Sequence, residues 1–215
     1  MSGRGRGALS KPARAAALPP LSGMANPDRP SYKGAMHRLF VAIRPPADQR
    51  AALITLQGGV EAARWQDDEQ LHITLRFIGE VDRHRANDIA DALSAIRFTP
   101  FDIRFDGVGR FDRKGVVDTL WAGVQPRDPL ERLHRKVDRA CVAMGLPPEG
   151  RAYLPHVTLA RFGRTGGFVD PFLARHAGFV GAPFRVDGFT LYQSHLGNAG
   201  ALYEAVSHYP ATAAA

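Results

Sequence analysis

Two short phrases in the chain carry the same chemistry: His72-Ile73-Thr74-Leu75 reappears as His156-Val157-Thr158-Leu159, 84 residues downstream (156 − 72). Each pairs a titratable imidazole with a hydroxyl two residues later, inside a β-branched apolar run. In a β-strand, residues i and i+2 share a face, so each histidine points with its threonine while Ile73, Leu75, Val157 and Leu159 point the other way. Two such strands side by side would surround one cleft with two imidazoles and two hydroxyls. That set supplies an acid, a base and hydrogen-bond donors, the equipment for phosphoryl chemistry without a metal.

Two arginines lie close to the motifs. Regular alternation puts Arg161 on the face opposite His156 and Thr158, so it reaches the cleft only if the strand bends or bulges after Leu159 or if the side chain wraps around the strand end. Arg76 shares parity with His72 and reads as an exposed arginine. Neither motif has a neighbouring carboxylate or third ligand at a metal-binding spacing, so no metal is expected. The other histidines (His37, His84, His134, His176, His195 and His208) occupy polar or helix-surface contexts and read as structural or solvated. The only cysteine, Cys141, excludes an intrachain disulfide or a cysteine zinc cage and reads as a packed core thiol. Phe77, Tyr153 and Phe162 flank the motifs as core aromatics or as platforms for a base. Gly163-Arg164-Thr165-Gly166-Gly167 is a connection or substrate loop beyond the second motif.

The elements that must position these groups follow from periodicity. Leu39–Ile43 reads as a buried strand, and Pro45-Pro46 opens a helix to about Gln57 that Gly58-Gly59 stops. The first motif strand spans roughly 70–79. A helix over 82–97 places Ile89, Leu93 and Ile96 on one face. Phe101, Ile103 and Phe105 alternate with polar residues and pair with 116–124 as a hairpin turning at 112–115. A helix over 129–144 has Asp128 as expected N-cap, Pro129 at N1 and an apolar stripe from Leu130 to Met144. The second motif strand spans 152–162, followed by a short helix at 170–175 and strands at 184–193 and 201–206. The expected class is α+β, largely antiparallel, in two related lobes.

Composition sets the limits. The chain has 215 residues, 45% hydrophobic and 23% charged, as in an ordinary globular protein, and no apolar run approaches the roughly 20 residues that cross a bilayer. The formal charge is +7, yet residues 1–35 hold six cations against Asp28, leaving 22 basic and 20 acidic residues in the remainder. That segment reads as a disordered basic extension (1–35), followed by a domain over 36–209 and a flexible tail over 210–215.

With those residues in hand, the chain resembles the two-histidine (2H) phosphoesterases, in particular the bacterial and archaeal RNA 2′,3′-cyclic phosphodiesterase branch, also called 2′-5′ RNA ligases. The resemblance is carried by His72-Ile73-Thr74-Leu75-Arg76-Phe77-Ile78-Gly79, by His156-Val157-Thr158-Leu159-Ala160-Arg161, by the opening strand His37–Arg44, and by Arg151–Pro155 leading into the second motif. It implies a bilobal fold with two largely antiparallel sheets lining a central cleft and helices outside. It also implies metal-independent opening of an RNA 2′,3′-cyclic phosphate end to a 2′-phosphomonoester, with reversible 2′-5′ ligation and no cofactor. The implied roles are proton donor for His72, proton acceptor for His156, and phosphate binding for Thr74, Thr158 and Arg161. RNA is the expected partner, with no membrane, a monomeric state and a cytoplasmic location. The competing expectations are a non-catalytic RNA-binding protein, and the same chemistry on a small cyclic nucleotide or an ADP-ribose cyclic phosphate.

Overall fold

A computed structural model describes residues 36–197 and 200–212. The expected extension over 1–35 and residues 213–215 lie outside the described residues. The first half runs β1 (His37–Ile43), α1 (Ala47–Ile54), β2 (Arg64–Trp65), β3 (Ile73–Val81) and α2 (Arg83–Ser94). The second continues with β4 (Phe101–Arg113), β5 (Val116–Gln125), α3 (Asp128–Ala143), β6 (His156–Arg161), α4 (Asp170–His176), β7 (Phe184–Val186), β8 (Gly188–Gly197) and β9 (Gly200–Pro210).

The strands lie in the order β7-β4-β5-β6-β3-β1-β8-β9, with β2 added on β6, and every recorded pairing among them is antiparallel. This order divides naturally into two halves, β7-β4-β5-β6 and β3-β1-β8-β9. They meet through one bridging pair, Ile73↔Val157, between the two motif strands. The bilobal α+β arrangement expected from the chain is therefore present, with the repeated phrases at its seam.

Helices cover the outer faces for the expected reason, an apolar stripe. On α2 the buried residues are Ala86, Ile89, Ala90 and Leu93, and the Asp82 side chain caps it by accepting from the Arg85 N–H at 2.9 Å. On α3 they are Leu130, Leu133, His134, Val137 and Cys141. The apolar faces of both motif strands, Ile73, Leu75, Val157 and Leu159, lie in the same core.

Several sequence expectations need correcting. Asp128 does not cap α3: Arg127 holds the cap position, Asp128 is the first helical residue and Pro129 follows it. The helix thus begins one residue early, where the Asp128 carboxylate still faces favourably placed N–H dipoles. The strand expected over 184–193 is two strands, β7 on β4 and β8 on β1 and β9, so the chain changes halves at Asp187. Two elements were not foreseen: β2 has two residues and exists through its pairing with β6, and a 3-10 turn at Asp68–Gln70 is held by a reciprocal capping box with Asp67. The first residues of the segment expected as a tail, 210–212, are tied to the fold. Pro210 pairs with Gly188, and the N–H groups of Ala211 and Thr212 donate to Asp187 O (2.6 Å) and Phe98 O (2.8 Å).

Candidate active site

The bridging pair sets the geometry of the cleft. Ile73↔Val157 is the one recorded pair between the motif strands, and it brings the two His-x-Thr phrases to the same seam. His72 precedes Ile73 and His156 precedes Val157 on antiparallel strands, so the two histidines lie on either side of that pair. Their alternate neighbours, Ile73 and Val157, are fully buried on the opposite face.

Both strands then break alternation at the same point. On β6 the partners of Leu120 and Trp121 are Ala160 and Thr158, so Leu159 is an extra residue. On β3 the partners of Val41 and Ala42 are Arg76 and Thr74, so Leu75 is the extra residue. A bulge reverses the side-chain parity that follows it. Leu159 and Ala160 are consequently both buried, and Arg161 emerges exposed on the His156 side. The sequence required such a bend for Arg161 to join the cleft, and the bend lies after Thr158. The Arg161 guanidinium contributes to lowering the pKa of both His72 and His156, as its proximity to both requires.

The same event in β3 overturns the reading of Arg76. Parity reversal turns it away from the cleft, where only 7% of its side chain is exposed and it pairs with Asp138 (2.9 Å) and Glu149 (3.1 Å). Phe77, 54% exposed, takes the place in the first motif that Arg161 holds in the second. Behind the bulge, Tyr153 donates to Thr74 O at 3.2 Å and His134 Nδ1 donates to Leu75 O at 2.7 Å. The His134 and Tyr153 rings stack at 4.1 Å. The carbonyls at the bulge are thus satisfied from α3 and from the segment leading into the second motif. His134, expected on a helix surface, is buried here, as is His37, whose Nδ1 lies 3.0 Å from Gln193 Oε1. Tyr153 and Phe162 are not base platforms, because Tyr153 is engaged on the rear face and Phe162 is buried.

The two imidazoles are held identically. His72 Nδ1 lies 2.7 Å from Gln70 O, and His156 Nδ1 lies 2.7 Å from Leu154 O. A carbonyl only accepts, so each Nδ1 carries a proton and each neutral ring keeps Nε2 as its free acceptor. Aromatic walls, which the motif reading did not identify, enclose both rings. His72 lies against Phe40 (5.0 Å between centroids) and edge-on to Tyr203 (5.1 Å). His156 lies edge-on to Phe111 (4.9 Å) and beside Trp121 (6.3 Å). Alternating aromatics in β1, β4, β5 and β9 were the available signal, but alternation alone does not say which sheet face lines a cleft. Burial pushes His72 down to about 4, with Arg161 and His156 adding to the effect, and burial also lowers His156. With both lowered from 6.5, both rings are neutral at pH 7.

Among the described residues, no group of three or more His, Cys, Asp or Glu side chains is placed to hold a metal ion. Cys141 is buried, and burial raises its thiol to about 11, which suits core packing rather than attack. The profile of the 2′-5′ RNA ligase superfamily matches residues 45–198, or 154 of the 215 residues (198 − 45 + 1).

The chain belongs to the 2′-5′ RNA ligase superfamily.

Members with curated names agree with that placement. An RNA 2′,3′-cyclic phosphodiesterase of Aeropyrum pernix is 44% identical over 96 residues, covering 44% of this chain and 54% of that protein. The chain thus spans about half the length of that relative. One of the same name from Archaeoglobus fulgidus is 31% identical over 170 residues, covering 78% of this chain and 96% of that protein. Among solved superfamily structures, E. coli LigT complexed with 3′-AMP superposes with a TM-score of 0.71 at 27% identity, covering 83% of this chain and 99% of that one.

Proposed function

We propose that this superfamily member hydrolyses RNA 2′,3′-cyclic phosphate ends to 2′-phosphomonoesters by metal-free acid–base catalysis. The observation that supports it best is the seam: two imidazoles held by matching Nδ1 bonds on strands that meet at Ile73↔Val157, with Arg161 turned toward them by the bulge. The names carried by its relatives agree with this reading.

In the forward reaction His156 Nε2 takes a proton from water as the water oxygen bonds to phosphorus. The bond from phosphorus to the ribose 3′-oxygen breaks, and His72 Nε2 delivers its proton to that oxygen. One water is consumed, and the products are a 2′-phosphate and a 3′-hydroxyl. Thr74, Thr158 and Arg161 donate to the non-bridging oxygens, whose charge grows at the transition state. With an RNA 5′-hydroxyl attacking in place of water, and the 3′-oxygen leaving as before, the same groups form a 2′-5′ linkage.

The donor role for His72 requires it to be protonated when substrate is bound. Its depressed pKa opposes that in the empty cleft, and an anionic phosphate placed between the imidazoles and Arg161 favours it. Substrate therefore creates the acid. Both histidines and Arg161 come from one chain, so a monomer is sufficient, and RNA ends together with a lone reduced thiol suit the cytoplasm.

The test is incubation with a short RNA ending in a 2′,3′-cyclic phosphate in excess EDTA, with product isomers resolved by chromatography. A 2′-phosphate product, absent with His72→Ala or His156→Ala, supports the proposal. Turnover that disappears with EDTA and returns with zinc overturns it. Faster turnover of a small cyclic nucleotide or ADP-ribose cyclic phosphate would reassign the substrate.

A further inference from the structure

Beyond Arg161 the second lobe carries cations that the cleft chemistry does not use. A half-open cavity of about 650 Å³ lies at the turn of the β4–β5 hairpin, lined by Arg64, Arg113, Lys114 and Arg164 with the single carboxylate of Asp118 and the edge of Phe162. Four cations against one carboxylate give a net of +3. Its volume is that of a small-ligand site.

Three features mark it as a built anion site. First, its cations are unspent. Arg44, Arg50, Arg104 and Arg110 each pair with a carboxylate, whereas none of the four around this cavity has such a partner among the described residues. Asp118 is engaged locally, accepting from the Thr119 hydroxyl at 3.1 Å. Second, Arg64 pairs directly with Arg161 across β2 and β6. Arg64, which lines the cavity, is thereby tied to the strand that carries Arg161 toward the cleft. Third, the walls are seated. Lys114 (φ 54°) and Gly115 (φ 78°) form the hairpin tip, where Asn or Gly is the usual choice at the first position and a lysine is found instead. The 163–167 loop packs onto the hairpin so tightly that a Cβ on Gly166 would lie 2.5 Å from Val116.

The cavity is also close to the candidate catalytic centre along the chain. Phe162 and Arg164, which line it, lie one and three residues beyond Arg161, and three residues span at most about 11 Å. A cyclic phosphate terminus has only one direction in which its RNA continues, away from the ribose through its 5′ side.

We propose that this cavity is a second phosphate site, which takes an internal phosphodiester of the substrate RNA one or two nucleotides on the 5′ side of the cyclic end. The inference rests on the RNA phosphodiesterase reading given above, and it adds that chain length, through the Arg113, Lys114 and Arg164 cluster, sets substrate preference. Single-stranded RNA is the matching ligand because its phosphates repeat at short spacing along a backbone that can follow a groove.

The test is the triple variant R113Q/K114Q/R164Q, which spares Arg64 because of its contact with the Arg161 row. Steady-state kinetics compare a hexanucleotide ending in 2′,3′-cyclic phosphate with a 2′,3′-cyclic mononucleotide. The expected result is a fall of about tenfold or more in kcat/KM for the hexanucleotide at 0.15 M salt and a loss of about 0.7 from its log–log salt slope, the share of one phosphate on a single strand. Mononucleotide turnover should be unchanged, which also shows that the variant is folded. An unaltered hexanucleotide kcat/KM and salt slope would overturn the proposal, and so would equal losses on both substrates. Should the wild type turn over neither substrate, the phosphodiesterase reading has failed on its own. The cavity is then judged by fluorescence anisotropy with a 2′-phosphate-ended hexanucleotide: weaker binding by the variant supports the site, and equal binding overturns it.

Discussion

The two lobes use the same four-residue phrase and the same bulge, yet they differ in what each bulge delivers. In the first lobe the residue after the extra leucine is Arg76, which turns inward and is neutralised by Asp138 and Glu149, and the next is Phe77, an exposed aromatic. In the second lobe the same positions hold Ala160, which is buried, and Arg161, which faces the cleft. One backbone device therefore makes an aromatic lip on one side and a cationic one on the other. The second lobe thus brings a cation to the cleft directly after its motif, and the basic cavity beyond Arg161 lies on the same side. Matching motifs need not have identical duties: the histidines are held alike, but the residues that follow each bulge differ.

The largest test of this comparison is removal of either imidazole. His72→Ala and His156→Ala should each lower kcat by roughly 10²–10⁴-fold, and the double variant should be little worse than either single one, since the pair acts as a unit. Quench-flow or steady-state turnover of a cyclic-phosphate oligonucleotide measures this. Clear additivity would mean that the lobes do not act on one phosphorus.

Next come the two arginines, which should separate cleanly. Arg161→Gln should lower kcat/KM by about 10²–10³-fold, the range for loss of a preorganised donor, with Tm unchanged. Arg76→Met leaves two half-buried carboxylates without their buried cation and should cost about 2 kcal/mol of stability by urea denaturation. A loss of activity without a loss of stability in the Arg76 variant would place that residue in the chemistry and break the contrast.

Phe77→Ala should raise KM for oligonucleotides by about 5–30-fold, as loss of one stacked base would, and leave the free energy of unfolding nearly unchanged because the ring is exposed. Equal KM values would make Phe77 a bystander at the lip.

The finest difference is in titration. Burial holds His72 near 4 when folded, while the unfolded chain takes that proton near 6.5. The unfolded state thus binds more protons between those values, so the His72 contribution to stability is complete above about pH 6.5 and is lost as pH falls toward 4. His156 contributes with the same sign. Histidine NMR should show both midpoints below 6.5 in the free protein and raised by inorganic phosphate. A free-protein midpoint for His72 above 6.5 would contradict its burial.

Much of this molecule was legible before any coordinates. The repeated His-x-Thr phrase announced the chemistry, and helices such as α2 and α3 were visible because a 3.6-residue apolar period is a local property of the chain. The aromatic walls were not legible. Phe40, Phe111, Trp121 and Tyr203 reach the cleft from four separate strands, and nothing local says which face of each strand will turn toward the seam. β2 was hidden for a related reason, since two residues carry no period and become a strand only when β6 lies beside them.

The sequence by itself determined the candidate reacting groups, their doubling and the family to which the chain belongs. Tertiary structure alone decided which arginine serves the cleft. Side-chain direction in a strand depends on counting residues from a known face, and a single bulged leucine resets that count. Arg76 and Arg161 therefore exchange the orientations that strict alternation predicts, one turning into the core and the other toward the phosphate.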